Sequence, residues 1–223
     1  MTAVGARRRR SGAATPASLA PLAIIGIVFL ALPTVALMIR APWSSIVEIY
    51  RSNDFGAALR LSLLTALEAV AISLVLGVPL AWVLARVRFP GRSLVRAMVT
   101  LPLVLPPVVG GVALFFALGR LGIVGQYLYR WFGLQLAFTQ PGIVIAQTFV
   151  AMPFLVVTME GGFRSLDRGL EEAAATLGAS PWRVFTRVSM RLVAPSLAAG
   201  TVLCWARALG EFGATLLFGG NNP

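Results

Sequence analysis

The sequence predicts an all-α, polytopic transmembrane helix bundle with about five spans. Three observations predict it. Of the 223 residues, 58% are hydrophobic and only 12% charged, with mean hydropathy +0.85, whereas a soluble domain carries about 25% charged residues. The apolar residues gather into five runs of about 20 residues or more, the length a helix needs to cross a hydrocarbon core. The basic residues sit at the ends of those runs, so the net charge of +11 reads as orientation in a bilayer and not as a footprint for nucleic acid.

Residues 1–18 form a polar tail with four consecutive arginines, Arg7 to Arg10. The first span covers 19–39. A cleaved signal peptide has an apolar core of only about 7–15 residues, so this run is expected to remain as an uncleaved span. The polar link from Arg40 to Gly56 holds Trp43 and Tyr50, suited to a membrane interface. The second span covers 57–87, with Gly77 and Pro79 as a place to bend. Arg86, Arg88, Arg92 and Arg96 surround a Phe89-Pro90-Gly91 turn. The third span, 97–118, contains Pro102, Pro106, Pro107, Gly110 and Gly111. Proline removes a donor and clashes with the preceding turn, so this run cannot be one ideal helix. Backbone groups freed inside a bilayer must be buried in protein or line a wet cavity. This run therefore either faces the bundle interior or is a kinked packing helix.

Residues 119–140 hold Tyr127, Tyr129, Trp131 and Phe132 and are expected to form an interfacial amphipathic helix. The fourth span, 141–159, opens on Pro141, which suits a helix start. A polar-containing loop, 160–191, separates it from the fifth span, 192–218. Arginine placement sets the orientation. With the tail inside, Arg7–Arg10, Arg86, Arg88, Arg92, Arg96, Arg164, Arg168, Arg183, Arg187 and Arg191 are cytoplasmic. Only Arg40, Arg51, Arg60, Arg120 and Arg130 are outside, and Arg207 lies within the fifth span. That imbalance places the N-terminus in the cytoplasm.

Absences exclude whole chemistries. There is no His and no Lys, so a Walker A loop, which needs Lys for the phosphates, is missing. Schiff-base lysines, His bases and His metal ligands go with it. No catalytic constellation, metal site or bound cofactor is expected. Cys204, the single cysteine, is a small packed residue.

The loop 160–191 carries the most distinctive pattern. Ser165 is placed to cap a helix starting near Leu166, with Asp167, Glu171 and Glu172 near its positive end. Ala173, Ala174 and Ala175 favour helix, and Gly178 suits its left-handed end. Ser180 and Pro181 restart a second helix, which carries Trp182 and Phe185 on one face. The expected product is a helix–turn–helix with a small-residue surface open to close approach by another protein.

Glu172-Ala173-Ala174, three residues, Gly178, nine residues and Val188-Ser189-Met190 resemble the EAA motif of ABC importer permeases. Arg191 stands where that family has proline. The resemblance implies the type I ABC importer permease fold. It also implies that Glu171, Glu172, Ala173, Ala174, Gly178, Ser180 and Trp182 form a coupling helix for an ATPase subunit. From residue 55 onward, Arg88-Phe89-Pro90-Gly91, the string Leu101 to Val109 and Ala208-Leu209-Gly210-Glu211-Phe212-Gly213-Ala214-Thr215 are similar to the molybdate and tungstate permease branch. Sulfate and thiosulfate permeases share parts of these strings. The resemblance implies a prokaryotic cytoplasmic-membrane location, a homodimer, ATPase subunits that bind the ATP and Mg, and an extracytoplasmic oxyanion-binding protein. The proline-broken third run and the charged fifth span are expected to line the translocation path, with Pro102, Pro106, Pro107, Arg207, Glu211 and Thr215 as its candidate residues. The family has a further span after the fifth, so a fragment is expected. Arg207 and Glu211, four apart, are placed to pair on one helix face. That pair serves either an anion path or helix packing. Glu68, inside the second span, has no evident partner in the sequence. A stand-alone secondary transporter is the competing class.

Overall fold

The computed structural model describes residues 20–44 and 53–211, in two compact units, Met1–Gly56 and Ala57–Pro223. In the first, α1 (Ala20–Arg40) is 21 residues long with mean hydropathy 2.7 and runs through Pro33 unbroken. Just beyond it, the Trp43 indole donates to the Met38 carbonyl at 2.7 Å, which gives an interfacial aromatic its polar partner.

The second unit contains nearly all of α2 (Asn53–Arg86), then α3 (Arg92–Val104), α4 (Pro107–Leu118), α5 (Gly125–Phe132) and α6 (Gln140–Ser165). After these come α7 (Arg168–Thr176), α8 (Pro181–Leu192) and α9 (Ala194–Leu209). All described elements are helical, as expected. Three helices among the described residues are long and apolar enough to cross a membrane: α1, α2 and α6. The pair α8 and α9, bent by 74°, makes up to four.

Three expected boundaries move. The third run, 97–118, is two helices. Leu105 (φ −68°, ψ 134°) and Pro106 (φ −54°, ψ 138°) are extended between them. The reason is steric: a residue before proline is pushed out of the helical region, and Leu105 and Pro106 each precede one. The fourth run, 141–159, continues as helix to Ser165, with Glu160 and Arg164 paired along the added turns. The fifth run meets α8 at Val193 with a sharp bend, just before Pro195. Its part beyond residue 211 lies outside the described residues, as does the tail 1–18.

Helix α6 is the central element of this unit, packing on α9, α3 and α4. Its Val144, Ala151, Leu155, Val156, Met159 and Phe163 share one core with Ala66, Val78, Ala81 and Leu84 of α2 and Cys204 and Ala208 of α9. Small residues bring the backbones close, as helix packing in membranes requires. Gly77, read from sequence as a place to bend, is also a close contact. Helix α2 is continuous through it, and an added Cβ would meet Val156 at 3.2 Å.

Gly162 is tighter: a Cβ there would lie 2.5 Å from Ser196 Oγ and 2.7 Å from its Cβ, while the neighbouring Gly161 meets nothing within 4 Å. Gly162→Ala is therefore expected to destabilise the bundle by about 1–3 kcal/mol through overpacking. Gly161→Ala, by helix propensity, should be neutral or stabilising by up to about 1 kcal/mol. Thermal unfolding of the two purified variants checks this. Equal melting temperatures would remove the close-packing argument.

Candidate functional site

The helix–turn–helix expected between α6 and α9 is present, and its cap differs from expectation. Asp167, not Ser165, starts α7: its Oδ1 accepts the Gly169 N–H at 2.9 Å. Ser165 ends α6 and donates its hydroxyl to the Gly162 carbonyl at 2.8 Å. The longer α6 leaves Asp167 as the first short polar side chain outside it.

The far end of α7 follows sequence logic closely. Gly178 has φ +83°. Its N–H donates to the Ala175 carbonyl at 2.9 Å, and the Ala179 N–H donates to the Ala174 carbonyl at 3.1 Å. This pair of reversed bonds satisfies carbonyls that the helix end would orphan. Ser180 and Pro181 then start α8 without a side-chain cap bond.

Two anchors hold this unit to the bundle. Glu171 is the first. Its Oε2 lies 3.2 Å from Arg86 Nη2, at the end of α2. Its Oε1 accepts the hydroxyl of buried Ser189 at 2.6 Å. Phe185 is the second. Its ring is edge-on to Trp82 of α2 at 5.8 Å, 6.3 Å from Phe163 of α6 and 5.7 Å from Trp182. The backbone there opens into a π-helical turn, Phe185–Ser189. Such turns are frequent at functional sites, and this one carries both Phe185 and Ser189.

The outward face is what the anchors leave free. Glu172, Ala173, Gly178 and Ser180 are exposed, and Ala174 is half-buried. Leu177 is 89% exposed and Trp182 73%. Trp182 borders an apolar groove of about 380 Å³ with Pro79, Trp82 and Phe185. The two adjacent glutamates therefore part company, Glu171 facing in and Glu172 out. The coupling residues expected from sequence thus come together on one unit.

The path residues fall in two places. Pro102, Pro106 and Pro107 mark the α3–α4 break, Pro102 half-buried and the other two exposed on this chain. Arg207 and Glu211 pair as expected, Nη1 to Oε2 at 2.6 Å, with Glu211 nearly fully buried. Thr215 lies outside the described residues.

Sequence reasoning missed Arg86, Ser189 and the cluster around Glu160. Glu160 is buried and binds Arg96 of α3 through Nε at 3.1 Å and through Nη2, and also Arg164 at 3.5 Å. The spacing of four between Glu160 and Arg164 was the available signal. Arg96, 64 residues away, gave none.

Residues 73–223 match the model of a protein family described as the binding-protein-dependent transport system inner membrane component. A molybdenum transport system permease protein of Mycobacterium tuberculosis is 47% identical over 200 residues, covering 90% of this chain and 75% of its own. Its counterpart in Escherichia coli K12 is 45% identical over 166 residues, covering 74% and 72%. The sulfate transport system permease protein CysT of the same organism is 35% identical over 222 residues, covering 99% and 80%. Among solved structures, a bacterial ABC transporter that imports alginate has the same fold, with TM-score 0.65 at 22% identity, over 91% of this chain and 76% of that one.

Proposed function

The chain belongs to the family of binding-protein-dependent transport system inner membrane components, and on that premise we propose that it is the permease subunit of an ABC importer for molybdate. The observation that carries the reading is the α7–α8 unit. It is pinned to the bundle by Glu171 and Phe185, with an outward face of small and apolar side chains, in a sequence with no lysine for a nucleotide loop of its own. On this reading, that face is the surface through which another protein's ATP cycle moves the bundle. The partners on this reading are two ATPase subunits that hold ATP and Mg, a second permease copy and an extracytoplasmic oxyanion-binding protein. The lipid phase is a prokaryotic cytoplasmic membrane, with the N-terminus and α7–α8 inside.

The broken α3–α4 segment supports a path at a subunit interface. Pro106 and Pro107 are exposed on the single chain, yet non-helical backbone at membrane depth must be covered by protein or face water. Arg207 offers positive charge to an anion, and Glu211 holds its position. For the anion itself, the 45–47% identity to molybdenum permeases outweighs the 35% identity to CysT. Sulfate is the second reading, because the CysT match spans almost all of this chain.

The test is uptake of labelled molybdate by cells that lack their own permease and express this chain with its ATPase and binding protein. Uptake that excess tungstate suppresses and excess sulfate leaves intact supports the reading. Suppression by sulfate transfers it to the second anion, and uptake without the ATPase sinks it.

On the same assay, Glu172→Arg is expected to lower coupled uptake by about tenfold, the effect of a few charged contacts at an interface rim. Because Glu172 is exposed, the melting temperature should stay unchanged.

A further inference from the structure

Five arginines line one open cavity of about 510 Å³ beside α7: Arg86, Arg88, Arg92, Arg164 and Arg168. Asp167 is the single carboxylate in its wall. Carboxylates elsewhere answer two of the five, Glu171 for Arg86 and Glu160 for Arg164. Among the described residues, Arg88, Arg92 and Arg168 have no ion-pair partner. Asp167 already gives Oδ1 to the Gly169 N–H. Among the described residues, the cavity therefore keeps a net positive charge that Asp167 offsets only in part.

A second observation comes from the buried side of the wall. The Arg86 side chain is only 9% exposed, and its Nε, shut off from solvent, makes no hydrogen bond. Arg92 donates Nη2 to the Leu84 carbonyl, while its buried Nε also lacks an acceptor. Buried donors without acceptors are uncommon and need a reason. An acceptor-rich anion that draws these guanidinium groups toward the cavity supplies one.

Guanidinium groups match the oxygens of phosphate-type anions in paired, planar hydrogen bonds. Five of them, from four helices and the link at Arg88, line this one cavity. We propose that this cavity binds a phosphate-type oxyanion, either free or carried on a phospholipid headgroup. It is separate from Arg207, which lies in α9. It shares Arg86 with Glu171, so an anion in the cavity and helix α7 address one guanidinium.

The test uses the permease assembled with its ATPase in nanodiscs, with inorganic phosphate and phosphatidylglycerol as the two probes. Arg88→Gln/Arg168→Gln removes two exposed guanidiniums that hold no carboxylate. In phosphatidylcholine discs at low salt, saturable binding of labelled phosphate that weakens about tenfold or more in the variant supports the site with a free anion. Phosphatidylglycerol retained through delipidation by the parent protein and lost by the variant, read by native mass spectrometry, supports it with a lipid. Arg88→Gln alone gives the same direction if the double variant does not assemble. No phosphate binding and no selective lipid retention overturns the proposal, as does binding that the variants leave unchanged.

Discussion

Glu171→Arg is expected to abolish ATP-driven uptake and to loosen α7 from the bundle. The carboxylate is 18% exposed and Arg86 9%, so the pair is well shielded from water. Removing one partner of such a pair leaves an uncompensated charge and costs on the order of 3–5 kcal/mol. Reversal adds repulsion against Arg86 and takes the acceptor from Ser189, whose hydroxyl is bonded to Glu171 at 2.6 Å. Glu171→Gln keeps an acceptor for Ser189 and removes only the charge, so it should fall between the two.

Three measurements separate anchoring from contact. Melting temperature should drop for Glu171→Arg and stay level for Glu172→Arg. Affinity for the ATPase should fall in both. Accessibility of a cysteine placed at Leu177 to a membrane-impermeant thiol reagent should change only in the Glu171 variant. A Glu171→Arg protein that melts normally and transports normally would show that Arg86 and Ser189 are incidental neighbours.

The Glu171 case also shows what the sequence could reveal. The helix–turn–helix was legible because its punctuation is local. Gly178 at φ +83° and Pro181 at a helix start each act within a turn of their own position. The break in the third run was legible for the same reason, since Pro106 and Pro107 impose it on their neighbours. The division of labour between Glu171 and Glu172 was not. Adjacent helix residues point about 100° apart, and nothing in the string Glu-Glu-Ala-Ala-Ala says which of them meets Arg86, 85 positions earlier in the chain. Ser165 is not the cap because α6 runs on to Ser165 itself, which leaves Asp167 as the first short polar side chain beyond it. The Arg207–Glu211 pair, four apart on one helix, was open to sequence reasoning for the opposite reason: both partners belong to one element.

Glu160→Leu is expected to destabilise the bundle strongly. Glu160 is 8% exposed and joins two arginines, Arg96 at 35% exposure and Arg164 at 52%. It lies on α6, the element against which α3, α4 and α9 pack. Without it, Arg96 on α3 faces an apolar wall, and two like charges converge on the gap. The cost is on the order of 3 kcal/mol, below the ceiling for a buried pair because Arg96 can partly reach solvent. The size of the loss should depend on Arg96 and not on Arg164, which is already half in water. Arg96→Leu/Glu160→Leu should therefore recover most of the stability, since replacing both charges of a buried pair by apolar groups is often neutral. Arg164→Leu/Glu160→Leu should recover little. A double-mutant cycle on unfolding free energies, with each pair measured against its singles, decides the matter. A coupling energy for Glu160–Arg96 no larger than that for Glu160–Arg164 would show that the charge on α6 is held by its own helix, and that α3 is fastened to α6 by apolar packing alone.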